Sequence, residues 1–218
     1  SLYSTQQFYN LTINGATSSS VVYSSPLTSS IRVQNTLNII NIGALYYGSG
    51  FTNNRIQVFG NVACSDSDGW TANPSNQNPG SVYMVGTATQ TISGNGSLSR
   101  IYIEKSSGTV SLASFTGRMG LDGPWRQAWL TTTNQGTLDV GGTTCDMELT
   151  VWKGTLAGTG TINGFVAIQQ NGVISPAGSS VGCITINGGT TGGLNISGTY
   201  LMDINGSTPC TQHDKIIV

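Results

Sequence analysis

Apolar and polar residues alternate over short stretches along most of the chain. Leu11-Thr12-Ile13, Ile31-Arg32-Val33, Ile56-Gln57-Val58 and Ile101-Tyr102-Ile103 are typical. So are Val110-Ser111-Leu112, Leu138-Asp139-Val140, Leu149-Thr150-Val151 and Ile184-Thr185-Ile186. A period of two places one side of each segment in a core and the other in water, so the segments predict β-strands of about three to five residues. No window of helical length shows the three-four apolar spacing of an amphipathic helix. Gly, Asn and Ser separate the segments. The pairs Asn14-Gly15, Asn163-Gly164, Asn171-Gly172, Asn187-Gly188 and Asn205-Gly206 mark sites where the backbone turns at low cost. Between strands this short they read as corners of a coil rather than as hairpins.

Strands of three residues need neighbours. Stacking one coil on the next pairs the backbone along an axis and lines up inward Ile, Val and Leu as a dry column. The expected fold is therefore all-β: a right-handed parallel β-helix, a solenoid of about eight to ten coils with projecting loops, spanning 1–218 as a single domain. Two stretches, 62–80 and 115–133, interrupt the alternation and are expected as irregular loops. A β-sandwich or jelly roll is the competing architecture. The chain ends on the apolar run Ile216-Ile217-Val218 and begins without Met, which reads as a fragment of a larger surface protein.

Composition sharpens this picture. Charged residues make up 8% of the 218 residues, against about 25% in an ordinary domain, while Gly contributes 30 and the apolar fraction is 37%. That is too apolar for a disordered chain and suits a fold whose surface is Ser, Thr, Asn and Gln. A net charge of −1, with eight scattered Lys and Arg, excludes a phosphate-binding surface for nucleic acid. No apolar run is long enough for a transmembrane helix. The four cysteines, Cys64, Cys145, Cys183 and Cys210, are compatible with disulfides in any of three connectivities, or with buried thiols.

Residues 154–218 carry a resemblance. Gly154-Thr155-Leu156-Ala157-Gly158-Thr159-Gly160-Thr161-Ile162 leads to Gly172-Val173-Ile174-Ser175-Pro176-Ala177-Gly178-Ser179-Ser180-Val181-Gly182-Cys183-Ile184-Thr185-Ile186. Tyr200-Leu201-Met202-Asp203-Ile204 and His213-Asp214-Lys215-Ile216-Ile217-Val218 follow. The segment resembles the passenger repeats of bacterial autotransporter-type adhesins. It departs from them by one inserted residue at Pro176-Ala177-Gly178 and by Cys183, where Thr is common. The resemblance implies a right-handed parallel β-helix, secreted or displayed at a cell surface, and names no receptor.

Chemistry is sparse. His213 is the only histidine, and its neighbour Asp214 would point to the opposite side of a strand, so no triad is expected. A polysaccharide-active enzyme, a lyase or glycoside hydrolase, would need carboxylates converging on a groove. Asp66, Asp68, Asp122, Asp139 and Asp146 are the candidates, with Arg118 and Arg126 for charge neutralisation. Asp66 and Asp68 also suggest part of a calcium loop, without the glutamate that completes one. Trp70, Trp125 and Trp129 fall in the irregular regions and are candidate binding residues, for stacking on sugars or anchoring a partner. Their alternative role is to cover the stack. The expected function is non-catalytic: an extracellular structural or adhesive β-helix presenting loops or partner domains, without cofactor, meeting a cell-surface glycan, a protein receptor or copies of itself. A self-assembling fibre or sheath subunit is the alternative.

Overall fold

In the computed structural model the described residues are 6–15, 21–24, 31–40, 44–47, 55–65, 81–98, 100–119, 128–188 and 193–218. Among them the protein is all-β, with no helix, and every strand ladder is parallel. The sole antiparallel bridge among these residues joins Ile204 and His213. A sandwich, which needs antiparallel neighbours, is not what forms.

Three ladders organise the chain. The first runs through Gln6–Asn14, Ile31–Ile40, Ile56–Val58, Val82–Gly86, Ile101–Lys105, Ala128–Leu130, Leu149–Gly158, Val166–Pro176 and Leu194–Ile196. The second runs through Gln6–Asn14, Ile31–Ile40, Asn61–Cys64, Gln90–Gly94, Thr109–Phe115, Thr137–Asp139, Leu149–Gly158, Val166–Pro176 and Thr199–Tyr200. The third takes Ser97–Leu98, Arg118–Met119, Thr144–Met147, Thr161–Asn163, Cys183–Asn187 and Lys215–Ile217. Val21–Ser24 pairs separately with Ala44–Tyr47.

Four strands belong to both of the first two ladders: Gln6–Asn14, Ile31–Ile40, Leu149–Gly158 and Val166–Pro176, of 9, 10, 10 and 11 residues. Leu149–Gly158 pairs Ala128–Leu130 with its first half and Thr137–Asp139 with its second. Ile31–Ile40 divides in the same way between Ile56–Val58 and Asn61–Cys64. The two ladders thus join into one 14-stranded sheet in which ten strands close a ring. These strands exceed the expected three to five residues because the backbone stays paired while it turns. Register shifts at Phe8/Asn10 and at Val151/Lys153 mark the bends; such irregularities are how a strand turns without losing its ladder.

The alternation read from the sequence is the alternation of burial. Val33, Val58, Met84, Ile103, Leu130, Val151 and Ile168 stand in register on the first ladder, each at most 1% exposed. Leu37 and Val62, then Val110, Leu138 and Leu156, do the same on the second. Leu98, Met119 and Met147 do so on the third. One continuous apolar cluster results, each buried aliphatic side chain contributing about 1.5–3 kcal/mol.

Two expected loops are partly strands. Asn61–Cys64 occupies the start of the 62–80 stretch, with Val62 and Cys64 buried. The 115–133 stretch holds Arg118–Met119 and Ala128–Leu130, and begins on the last residue of Thr109–Phe115. Strands of two to four residues leave too little alternation to stand out beside Gly and Trp. Glycine is required where coils touch. At Gly94, φ is +100° and a Cβ would lie 2.0 Å from the carbonyl oxygen of Cys64 on the adjoining pass. The inserted Ala177 takes the left-handed conformation, φ 56°, inside a turn closed by the Gly178 amide donating to the Ser175 carbonyl at 3.1 Å.

Candidate functional site

The outward residues of the first ladder are, in register, Gln7, Arg32, Gln57, Tyr83, Tyr102, Trp129, Thr150, Ala167 and Asn195. Three consecutive aromatics fall in the middle. Tyr83 and Tyr102 stack with centroids 4.4 Å apart, and Tyr102 and Trp129 at 4.7 Å, each pair within 11° of parallel. These separations match the spacing of paired strands, about 4.8 Å, so the ladder itself holds the rings face to face.

Arginines line this stack. The guanidinium of Arg55 lies 5.1 Å from the Tyr83 centroid, and that of Arg100 lies 5.8 Å and 5.7 Å from Tyr102 and Trp129. Arg32 lies 5.9 Å from Phe59, and its Nε donates to Gln57 Oε1 at 3.2 Å. Arg55 pairs with Glu104 at 3.2 Å, and Thr133 Oγ1 donates to the other Glu104 oxygen at 3.0 Å. The Nε of Arg100 is enclosed without an acceptor. Burial, with the charge of Tyr102 second, pushes the Tyr83 phenol up to about 12, so it is a hydrogen-bond donor throughout the neutral range.

This geometry bears on the two roles expected for Trp129. A sugar ring stacks on an aromatic face. Tyr102 has a ring on each side, and Trp129 has one face against Tyr102. The stack therefore turns its edges outward and leaves the second face of Trp129 outside these ring contacts. Trp129 is also a strand residue at the centre of Ala128–Leu130, not the loop residue expected. Trp70, Trp125, Asp66 and Asp68 lie outside the described residues, as do Asp122 and Arg126.

The other candidate carboxylates separate. Asp139 is on the second ladder, where its Oδ1 accepts from the Gly141 amide at 2.8 Å. Asp146 is on the third, paired with Arg118 at 3.7 Å and accepting from Asn163 Nδ2 at 3.0 Å. Both are engaged locally, in different sheets. Asp214 is 2% exposed and takes amide hydrogens from Gly182 at 2.7 Å and Asp203 at 3.0 Å, a corner role. His213 Nδ1 sits 3.2 Å from the Gly206 carbonyl. Among the described residues no three of His, Cys, Asp and Glu gather as a metal site, and no helix is long and apolar enough to cross a membrane.

Cys183 and Cys210 form a disulfide, Cα–Cα 4.9 Å, that ties the strand Cys183–Asn187 to the turn preceding its neighbour Lys215–Ile217, the last strand of the third ladder. Cys64 and Cys145 are buried thiols. Cys64 Sγ lies 3.7 Å from the Ser97 carbonyl, and burial pushes Cys145 up to about 12.

A second polar feature runs inside the protein, where the first ladder turns into the second. Gln90 Nε2 donates to the carbonyls of Val58 at 2.9 Å and Gly60 at 2.6 Å. Its Oε1 accepts from Lys105 Nζ at 2.6 Å, and the same ammonium donates to the Ala88 carbonyl at 2.7 Å. The Lys105 amide donates to Asn134 Oδ1 at 3.0 Å, and Asn134 Nδ2 donates to the carbonyls of Gly136 and Lys153, both at 3.0 Å. Gln90, Lys105 and Asn134 are each at most 1% exposed. This buried chain stitches together five consecutive passes of the backbone. Desolvation lowers the Lys105 pKa from its ordinary value. Sequence reasoning overlooked the feature, although alternation from Ile101 and Ile103 points Lys105 inward.

Comparison with protein-family models found no match. Searches of curated proteins and of solved structures found none either.

Proposed function

We propose that the chain is a right-handed parallel β-helix of nine coils that serves as a non-catalytic structural or adhesive element at a cell surface. In this reading the three parallel ladders are the faces of a solenoid. The ring in the pairing order arises because two long strands, Ile31–Ile40 and Leu149–Gly158, each bend and feed two faces. The observation that carries the proposal is the register itself. Successive rungs return after 17 to 32 residues with the same inward and outward sets, as in Thr150↔Ala167 and Cys183↔Lys215. Such a stack carries load through many backbone hydrogen bonds in parallel and presents its corners as loops. The Cys183–Cys210 disulfide supports an oxidising, extracellular setting, as does the resemblance of residues 154–218 to autotransporter-type adhesin repeats. Asp139 and Asp146, the candidate carboxylates among the described residues, stand on separate ladders, which favours a scaffold over a glycan-cleaving enzyme.

The test uses the cells that make the protein. Antibody against the folded chain should label intact cells, and deletion should reduce attachment to a host or matrix surface. Labelling only after permeabilisation, or release of oligosaccharides from a polysaccharide panel, would overturn the proposal.

A second reading, assembly into a fibre, rests on one observation. The last rungs of the three ladders, Leu194–Ile196, Thr199–Tyr200 and Lys215–Ile217, each pair on one side only, among the described residues. Ile196, Leu201, Met202, Ile204, Ile217 and Val218 are exposed around them. Open parallel edges beside apolar side chains favour addition of another strand. Sedimentation that shifts with concentration supports assembly; a monomer throughout removes it.

A further inference from the structure

We propose that the arginine-flanked edge of the aromatic stack on the first ladder is a docking face for a linear carboxylated polysaccharide. The proposal rests on the adhesive reading above and names the ligand class for it. Three observations carry it. The first is charge. On a chain of net charge −1, the face holds Arg32, Arg55 and Arg100 against one acid among the described residues, Glu104. Glu104 pairs with Arg55, and among the described residues no acid pairs with Arg32 or Arg100. Glu148, preceding the seventh rung, is the next acid along the same edge.

The second observation is ring orientation. Aromatic edges carry the positive end of the ring quadrupole and faces the negative end. Stacked as they are, Tyr83, Tyr102 and Trp129 present edges outward. The stripe beside the arginines therefore attracts anionic oxygens, and stacking takes both faces of Tyr102 and one face of Trp129 away from a neutral sugar. The third is spacing. Arg55 precedes the third rung and Arg100 the fifth, with backbone carbonyls that accept from Ile31 and Val82. Two rungs separate them by about 10 Å along the axis. Arginines whose backbones stand two rungs apart suit carboxylates that recur along a polymer, and planar guanidinium binds carboxylate in bidentate fashion. The cationic stretch from the rung of Arg32 to that of Trp129 is about 19 Å long, enough to engage several sugar units together.

The experiment measures binding of polygalacturonate, neutral dextran and heparin to the full chain by biolayer interferometry at low salt. Wild type is compared with Arg32→Gln, Arg100→Gln and, as a control on the third ladder, Arg118→Gln. Circular dichroism confirms that each variant is folded. Expected are polygalacturonate binding that weakens with salt, about a tenfold loss for Arg100→Gln, no change for Arg118→Gln, and no dextran binding. Several results overturn the proposal: no polygalacturonate binding, dextran bound equally well, heparin bound in preference to polygalacturonate, or affinity unmoved by Arg100→Gln. Failure here with surface labelling and attachment intact leaves the adhesive reading standing and removes only the ligand. Loss of surface labelling removes that reading whatever the polymer does.

Discussion

Replacing Asn134 by Leu tests the buried polar chain most sharply. Asn134 is fully buried, and its amide uses all its capacity. Oδ1 accepts from the amides of Lys105 at 3.0 Å and Gly136 at 3.2 Å, and Nδ2 donates to the carbonyls of Gly136 and Lys153 at 3.0 Å. Leucine fills a similar volume and satisfies none of these groups. A hydrogen bond contributes about 1 kcal/mol net, and a buried group left without a partner costs about 1–3 kcal/mol. The Gly136 contacts are local and can relax, whereas the Lys105 amide and Lys153 carbonyl lie on neighbouring passes and cannot both turn to water. The expected destabilisation is therefore about 3–5 kcal/mol. Exposed Gln135, next in sequence, should tolerate Ala within about 0.5 kcal/mol. Urea unfolding followed by circular dichroism measures both, and hydrogen exchange at the Lys105 and Gly136 amides reports the local change. A loss below 1 kcal/mol for Asn134→Leu, with those amides as protected as in wild type, would refute the claim that this chain holds the corner together.

Two further outcomes follow from the buried groups. In the fold Lys105 has a lowered pKa, so between that value and about 10.4 the unfolded chain binds a proton the folded chain does not. Stability should rise with pH across that window, and Lys105→Met should flatten the rise. Tyr83, raised to about 12, acts oppositely: stability should fall from about pH 10 to 12, and Tyr83→Phe should remove that fall. Identical pH slopes in variant and wild type would contradict the assignment. In thiol labelling at pH 8, the native protein should take up no iodoacetamide, since Cys64 and Cys145 are buried and Cys145 is pushed up to about 12. Denaturant alone should expose two thiols and denaturant with reductant four; four without reductant would disprove the Cys183–Cys210 bond. That bond closes a separation of 27 residues, worth about 3–4 kcal/mol in the loop-entropy view. Cys210→Ser should therefore loosen the last rungs before the rest.

Much of the strand content was legible because burial is periodic. Ile56-Gln57-Val58 and Ile101-Tyr102-Ile103 are adjacent in register, and their pattern announces both the strand and its inward side. Strand length was not legible, because a parallel strand that bends through a corner reads as two strands. Leu149–Gly158 carries Gly154 at φ +89° in its middle, which sequence reasoning takes for a break. Trp129 reads as a loop residue in the sequence because its strand is three residues long and follows a stretch without alternation. The buried chain of Gln90, Lys105 and Asn134 was overlooked because polar residues in corners are ordinarily solvent-facing. Most of their partners lie on the passes above and below. The disulfide is a similar case: Cys183 and Cys210 meet because Asp214 and the turn around Pro209 fold the last pass back, a long-range arrangement that spacing does not encode.

Distances between spin labels along the first ladder bear most directly on the solenoid. Gln7 and Asn195 are exposed and stand at its two ends, eight register steps apart. Labels attached through Gln7→Cys and Asn195→Cys should lie about 38 Å apart. Moving the second label back to Thr150 should shorten this by about two rungs, or 10 Å. Distances that stop growing with register, as they would around a closed barrel, would contradict the account.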